Sequence, residues 1–118
     1  ADQREHLTME QYQIKITDHA IGQLQETVRY ISKVLQAPDV ALRWADRLEE
    51  EIAGLDKMPG RYPLTPEEPW RSAGIHKMPV ENFLVYYWIH EEQKVVWVTA
   101  VIYGRRDQID QLRKMPIP

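Results

Sequence analysis

The 118-residue chain has no cysteine. That excludes a disulfide framework, a thiolate zinc site and a cysteine nucleophile. Glycine is scarce and scattered: Gly22, Gly54, Gly60, Gly74 and Gly104 never cluster, so no glycine-rich phosphate cradle is present. The two serines, Ser32 and Ser72, lack a nucleophile-elbow context, and Ser32 falls within a helical pattern. His6, His19, His76 and His90 show no HxxH or HExxH spacing, so no metal site and no cofactor are expected. Glu49, Glu50 and Glu51 are consecutive on a helix and point in different directions, as a solvated charge run does. No apolar run approaches the ~20 residues of a membrane span, and the first ten residues lack the apolar core of a secretory signal. We therefore expect a cytoplasmic protein with no membrane partner. Excess positive charge is also missing. The net charge of −3 and pI near 5.8 argue against wholesale nucleic-acid binding, where a basic surface supplies most of the affinity.

What is present suits one globular domain: 43% hydrophobic and 28% charged residues. Residues 1–9 read as a flexible polar tail and residues 10–118 as the single domain. Tyr12, Ile14 and Ile16 alternate with polar neighbours, the period of a half-buried strand. Thr17 and Asp18 then offer an N-cap and a first-turn acid. Ile21, Leu24, Val28, Ile31 and Leu35 form one helical stripe, closed by Ala37-Pro38. A second stripe, Ala41, Ala45, Leu48, Ile52 and Leu55, starts after Pro38, and so short a connection predicts an antiparallel helical hairpin.

Residues 58–70 carry Pro59, Pro63, Pro66 and Pro69, a rigid irregular connection. Three strands follow. Residues 74–79 form a short peripheral strand, since Pro79 cannot donate to a central ladder. Residues 83–90 and 95–103 are apolar on both faces, as central strands are. Residues 107–114 can form one or two helical turns. The fold class is therefore α+β: an N-terminal strand, an antiparallel helical hairpin, a three-stranded antiparallel meander in the same sheet, and a short C-terminal helical tail.

Two features stand out from this ordinary plan. The strand over residues 95–103 ends abruptly in Gly104-Arg105-Arg106, and between Tyr103 and Lys114 four basic residues face only Asp107 and Asp110. Arg71, His76 and Lys77 surround the short strand, where alternation sends His76 and Lys77 to opposite faces. Charge is also divided along the chain. Residues 1–69 hold 8 basic and 13 acidic side chains; residues 70–118 hold 7 basic and 5 acidic.

The order of these segments carries a resemblance. Tyr12 to Ile16 followed by Thr17-Asp18-His19-Ala20, the Arg47-Leu48-Glu49-Glu50-Glu51-Ile52 helix, the Met58-Pro59-Gly60-Arg61 bend, Arg71 with Gly74-Ile75, and above all Tyr103-Gly104-Arg105-Arg106-Asp107 resemble the RelE/ParE superfamily of toxin–antitoxin toxins, over roughly residues 10–113. The resemblance implies a bacterial toxin neutralised by a cognate antitoxin. It also implies one of two activities. RelE-type members cut mRNA on the ribosome and place an arginine after the central-strand aromatic, where Phe83 is here followed by Leu84. ParE-type members, which this chain resembles more, poison DNA gyrase through protein–protein contact and need no catalytic residue. The target-binding candidates are Tyr103, Arg105, Arg106, Arg113 and Arg71, because aromatic and arginine side chains anchor protein interfaces. Ribosome-dependent mRNA cleavage is the enzymatic alternative, and a non-toxic antitoxin-binding remnant is the third.

Overall fold

The computed structural model describes residues 11–104 and 108–115. The tail expected over residues 1–9, together with Arg105 and Arg106, lies outside the described residues. The first strand, β1 (Gln13–Ile16), leads through the Thr17 N-cap into helix α1 (Asp18–Arg29); the Thr17 hydroxyl accepts from Ala20 N–H at 3.1 Å. Helix α1 runs on into a π-helical turn over Tyr30–Val34, and Pro38 then opens α2 (Pro38–Ala53). The meander follows as β2 (Ile75–Val80), β3 (Phe83–His90) and β4 (Val95–Tyr103), and α3 (Gln108–Arg113) is the last element among the described residues.

The four strands form one sheet in the order β1-β4-β3-β2. The expected antiparallel meander is present, and β1 joins it parallel to β4, which makes the sheet mixed. As the apolar composition of both their faces implied, β3 and β4 are central. The edge strand β2 is blunted by Pro79 and by the proline-rich connection, which pairs Leu64 with His76 and accepts Lys77 N–H at Pro63 O.

Each face of the sheet has its own core. Under the helical hairpin, Ile31, Ala41, Leu48, Ile52 and Leu55 meet Met78, Phe83, Val85, Tyr87, Val96, Val98 and Val101. On the opposite face, Trp70, Leu112 and Met115 cover Ile75, Tyr86, Ala100 and Ile102. The second core gives the C-terminal turns a structural purpose, because Leu112 is fully buried. It also places Trp70 inside the molecule.

Two adjacent tyrosines of β3 serve the two cores. The Tyr87 ring stacks on His76, and its hydroxyl donates to the Pro59 carbonyl. Tyr86 faces the other way; its hydroxyl is buried and has no hydrogen-bond partner among the described residues. Burial, with a smaller contribution from the Glu67 carboxylate, pushes the Tyr86 phenol up to about 12 from its ordinary value of 10.0. Burial also raises Tyr87, against the opposing effect of Arg61.

The end of β4 is fixed by a close backbone approach. Gly104 N–H donates to Asn82 O at 2.6 Å, and a Cβ on Gly104 would lie 2.9 Å from that same oxygen. Glycine is required there by space.

Three measurements of stability follow. Gly104→Ala should lower unfolding stability by about 1–3 kcal/mol, as overpacking against backbone does; an unchanged urea midpoint would show that the β2–β3 turn gives way freely. Tyr87→Phe leaves the Pro59 carbonyl without its donor and should cost about 1–3 kcal/mol, whereas Tyr86→Phe removes an unpaired hydroxyl and should be neutral or stabilising at pH 7. Because the folded-state value of Tyr86 lies above the unfolded one, its contribution is fully present below pH 10 and lost as pH rises through about 12. Tyr86→Phe should therefore lessen the alkaline loss of stability, and an identical alkaline limb in the variant would contradict the assignment.

Candidate functional site

The long strand β4 outruns its neighbour β1, and its outer edge must be satisfied beyond Val98. A β-bulge begins there: Tyr86 pairs with Ala100 and Tyr87 with Val98, leaving Thr99 unmatched. Thr17 meets the bulge, donating its backbone N–H to Val98 O at 3.0 Å, while Gln23 Oε1 accepts Val101 N–H at 2.8 Å. Helix α1 thus takes over from β1 as the cover of the β4 edge and runs beside it towards Tyr103. Gln23, Thr27, Val101 and Tyr103 share one small polar notch.

Tyr103, the aromatic expected at the target-binding end, is half-buried in a cluster with two other rings. Trp44 of α2 lies edge-on to Phe83 at 5.6 Å and 6.0 Å from Tyr103, and Phe83 is 5.5 Å from Tyr103. Such pairs stabilise by roughly 0.5–1.5 kcal/mol beyond area burial. Tyr103 is therefore partly a packing residue.

The other candidates are spread over the molecule. Arg113 is exposed in the last turn of α3. Arg71 is exposed in the turn before β2, and its backbone closes that turn by donating to Glu67 O and accepting from Gly74 N–H. Ile75 pairs with Trp88 while Tyr103 pairs with Phe83. Five residues of β3 separate those levels, about 17 Å at ~3.3 Å per residue. The fold does not bring Arg71 beside Tyr103. Lys77 is engaged on the second face, 3.7 Å from Glu67 and over the Tyr86 ring at 6.0 Å.

A groove of about 510 Å³ opens between β1, α1 and α2, and sequence reasoning missed it. Its walls are apolar, formed by Tyr12, Ile14, Ile16, Leu24, Ala45 and Ile52, and Glu49 and Asp56 stand at its margin. Beside it, a trough of about 460 Å³ continues between α1 and α2 past Val28 to Arg29 and Lys33. The stripe residues that line these clefts looked like ordinary core positions. No local pattern reveals that the helices and β1 leave space between them. Tyr12 of the groove wall is held in place by its hydroxyl, which donates to Glu91 at 3.0 Å, and Lys94 lies 3.1 Å from the same carboxylate. Lys94 first, then Tyr12, holds the Glu91 carboxyl below its usual value. Chemically, the groove suits an amphipathic protein segment: apolar walls to bury side chains, charged margins to fix register.

Among the described residues, no three His, Asp or Glu side chains gather where they could hold a metal ion, and no helix is long and apolar enough to cross a membrane.

Comparison with known proteins places this architecture. Residues 14–108, from β1 to the start of α3, match the model of the "ParE toxin of type II toxin-antitoxin system, parDE" family. No functionally curated protein matches the chain. Among solved structures, the chain is similar to the chromosomal ParDE toxin–antitoxin system from P. aeruginosa, with a TM-score of 0.65 and 18% identity over 80% of this chain and 97% of the other. It is also similar to the RelBE2 toxin–antitoxin complex from Mycobacterium tuberculosis, with a TM-score of 0.54 and 20% identity over 79% of this chain and 91% of that one. At these identities the structural likeness speaks to fold, and the family match covers most of the chain: the protein belongs to the ParE toxin family of type II toxin–antitoxin systems.

Proposed function

We propose that the protein poisons DNA gyrase by protein–protein contact and is neutralised by a cognate antitoxin that lays an amphipathic segment into the β1–α1–α2 groove. The observation that carries this reading is the ParE family match, which extends from β1 through the basic end of β4. The proposed antitoxin contact draws on the groove itself, whose apolar walls would reward a disordered segment for folding on binding. Inhibition by contact asks only for a stable surface with anchors. Tyr103, seated by Trp44 and Phe83, and the arginines at positions 105, 106 and 113 are the proposed anchors on the target side.

Two structural points favour contact over RNA cleavage. Leu84, at the position where the nuclease pattern carries an arginine, packs into the second core. Much of the sheet face around it is closed by Trp70, Leu112 and Met115, so a nucleic acid could not lie across that face without displacing them.

The test is purified gyrase supercoiling, with and without the product of the adjacent gene. The protein alone should stall gyrase and the antitoxin should reverse the effect. Unaffected supercoiling with cleavage of ribosome-bound mRNA would replace this reading by the nuclease one, and no effect on either target with normal growth would leave an antitoxin-binding remnant. Under the gyrase reading, the double variant Arg105→Ala/Arg106→Ala should lose toxicity while still binding antitoxin; undiminished toxicity removes those two residues from the target surface.

A further inference from the structure

Four large apolar side chains crowd the closed end of the helical hairpin and are left in solvent: Val34 at 64% exposure, Leu42 at 63%, Leu35 at 49% and Tyr30 at 38%. A soluble monomer seldom leaves such a group uncovered without a use for it. The π-helical turn over Tyr30–Val34 produces the arrangement. A π turn carries more residues than an α turn, so the apolar stripe of α1 loses its phase there; Ile31 stays buried while Leu35, the next stripe residue, swings outward to join Tyr30 and Val34, which lie off the stripe.

This hairpin end lies at the same end of the molecule as Tyr103 and Gly104. Helix α1 runs beside β4, with Gln23 bonded to Val101 and Thr27 sharing a notch with Tyr103, so the π turn lies just beyond the level of Tyr103. Trp44, two residues after Leu42, touches Tyr103 directly. The charge there is positive in an otherwise acidic hairpin. Residues 29–43 contain Arg29, Lys33 and Arg43 against Asp39 alone, while residues 44–56 contain five acids against Arg47. None of Arg29, Lys33 and Arg43 forms an ion pair with another described residue.

We propose that the hairpin end and the end of β4 form one target-gripping face, and that its occupant is an acidic, apolar-lined surface of the target protein. The proposal rests on the contact-inhibition reading above and adds to it an anchor that lies outside the basic segment. Charge selects the occupant. A second copy docking symmetrically would bring like charges together, whereas an acidic partner gains both steering and burial. The groove assigned to the antitoxin opens mainly at the other end of the hairpin, where Glu49 and Asp56 give it an acidic margin.

The experiment uses the full chain, purified gyrase and the cognate antitoxin. Val34→Asp with Leu42→Asp changes exposed positions only, and an unchanged circular dichroism spectrum and melting midpoint confirm folding. The variant should need at least about tenfold more protein to stall gyrase, as loss of an apolar anchor implies, with antitoxin affinity within about twofold of wild type. A second variant, Lys33→Glu/Arg43→Glu, should weaken inhibition most at low salt. Wild-type inhibition by both variants overturns the proposal. So does a parallel loss of antitoxin binding, which would assign the patch to the antitoxin, or a wild-type dimer that Val34→Asp/Leu42→Asp dissolves, which would assign it to self-association. Failure of the wild-type protein itself to affect gyrase overturns the functional reading, and this proposal with it, before any variant is compared.

Discussion

Everything in this structure is arranged around the inequality of two paired strands. β1 has four residues and β4 has nine, and they run parallel from the same level. A central strand cannot leave its edge groups bare in a packed domain. At Val98 the chain resolves the mismatch at Thr17, which ends β1, caps α1 and bonds to the strand it is leaving. Gln23 then supplies a side-chain acceptor where a fifth β1 residue would have supplied a backbone one. The direction of α1, the overhang of the hairpin beyond the sheet, and the meeting of Trp44 with Tyr103 all follow from that handover.

The result is a molecule with two chemically different ends. Where β1 begins, an apolar groove with acidic margins lies between strand and helices, stiffened by the Tyr12–Glu91–Lys94 cluster. Where β4 ends, an aromatic cluster and a tight backbone contact at Gly104 lie beside a hairpin end of exposed apolar and positive side chains. Under the proposed function, the antitoxin seats mainly at one end and the target at the other, and the trough between α1 and α2 gives the antitoxin a path from its groove towards the target face. The mild net acidity of the chain hides this division.

Much of the fold was legible in the residues. The alternation of Tyr12, Ile14 and Ile16, the helical spacing of Ala41, Leu48 and Ile52, and the two-faced apolar strands at 83–90 and 95–103 each report a local geometry through a local period, and each is observed. Pro79 marked β2 as an edge. The parallel partner of β1 was not legible, because periodicity says which face a residue takes and nothing about which strand lies beside it. Nor was the fate of the first helical stripe. Its spacing implied that Ile21 and Leu35 are core, yet they are 39% and 49% exposed, since the π turn shifts the phase at one end and α1 follows β4 at the other. Of the candidate site, Tyr103 was legible as an aromatic before a basic run; the groove was not, because it exists only as a space between elements.

The central claim is inhibition by contact, and stoichiometry tests it most directly. Gyrase activity should be titrated against the purified protein, with ribosome-bound mRNA assayed at the same concentrations. A contact inhibitor acts in proportion to occupancy: the inhibited fraction should rise with the ratio of protein to gyrase, saturate near one protein per binding site, and fall again as antitoxin is added. Cleavage of mRNA by amounts far below stoichiometric, with gyrase untouched at saturating protein, would contradict the account.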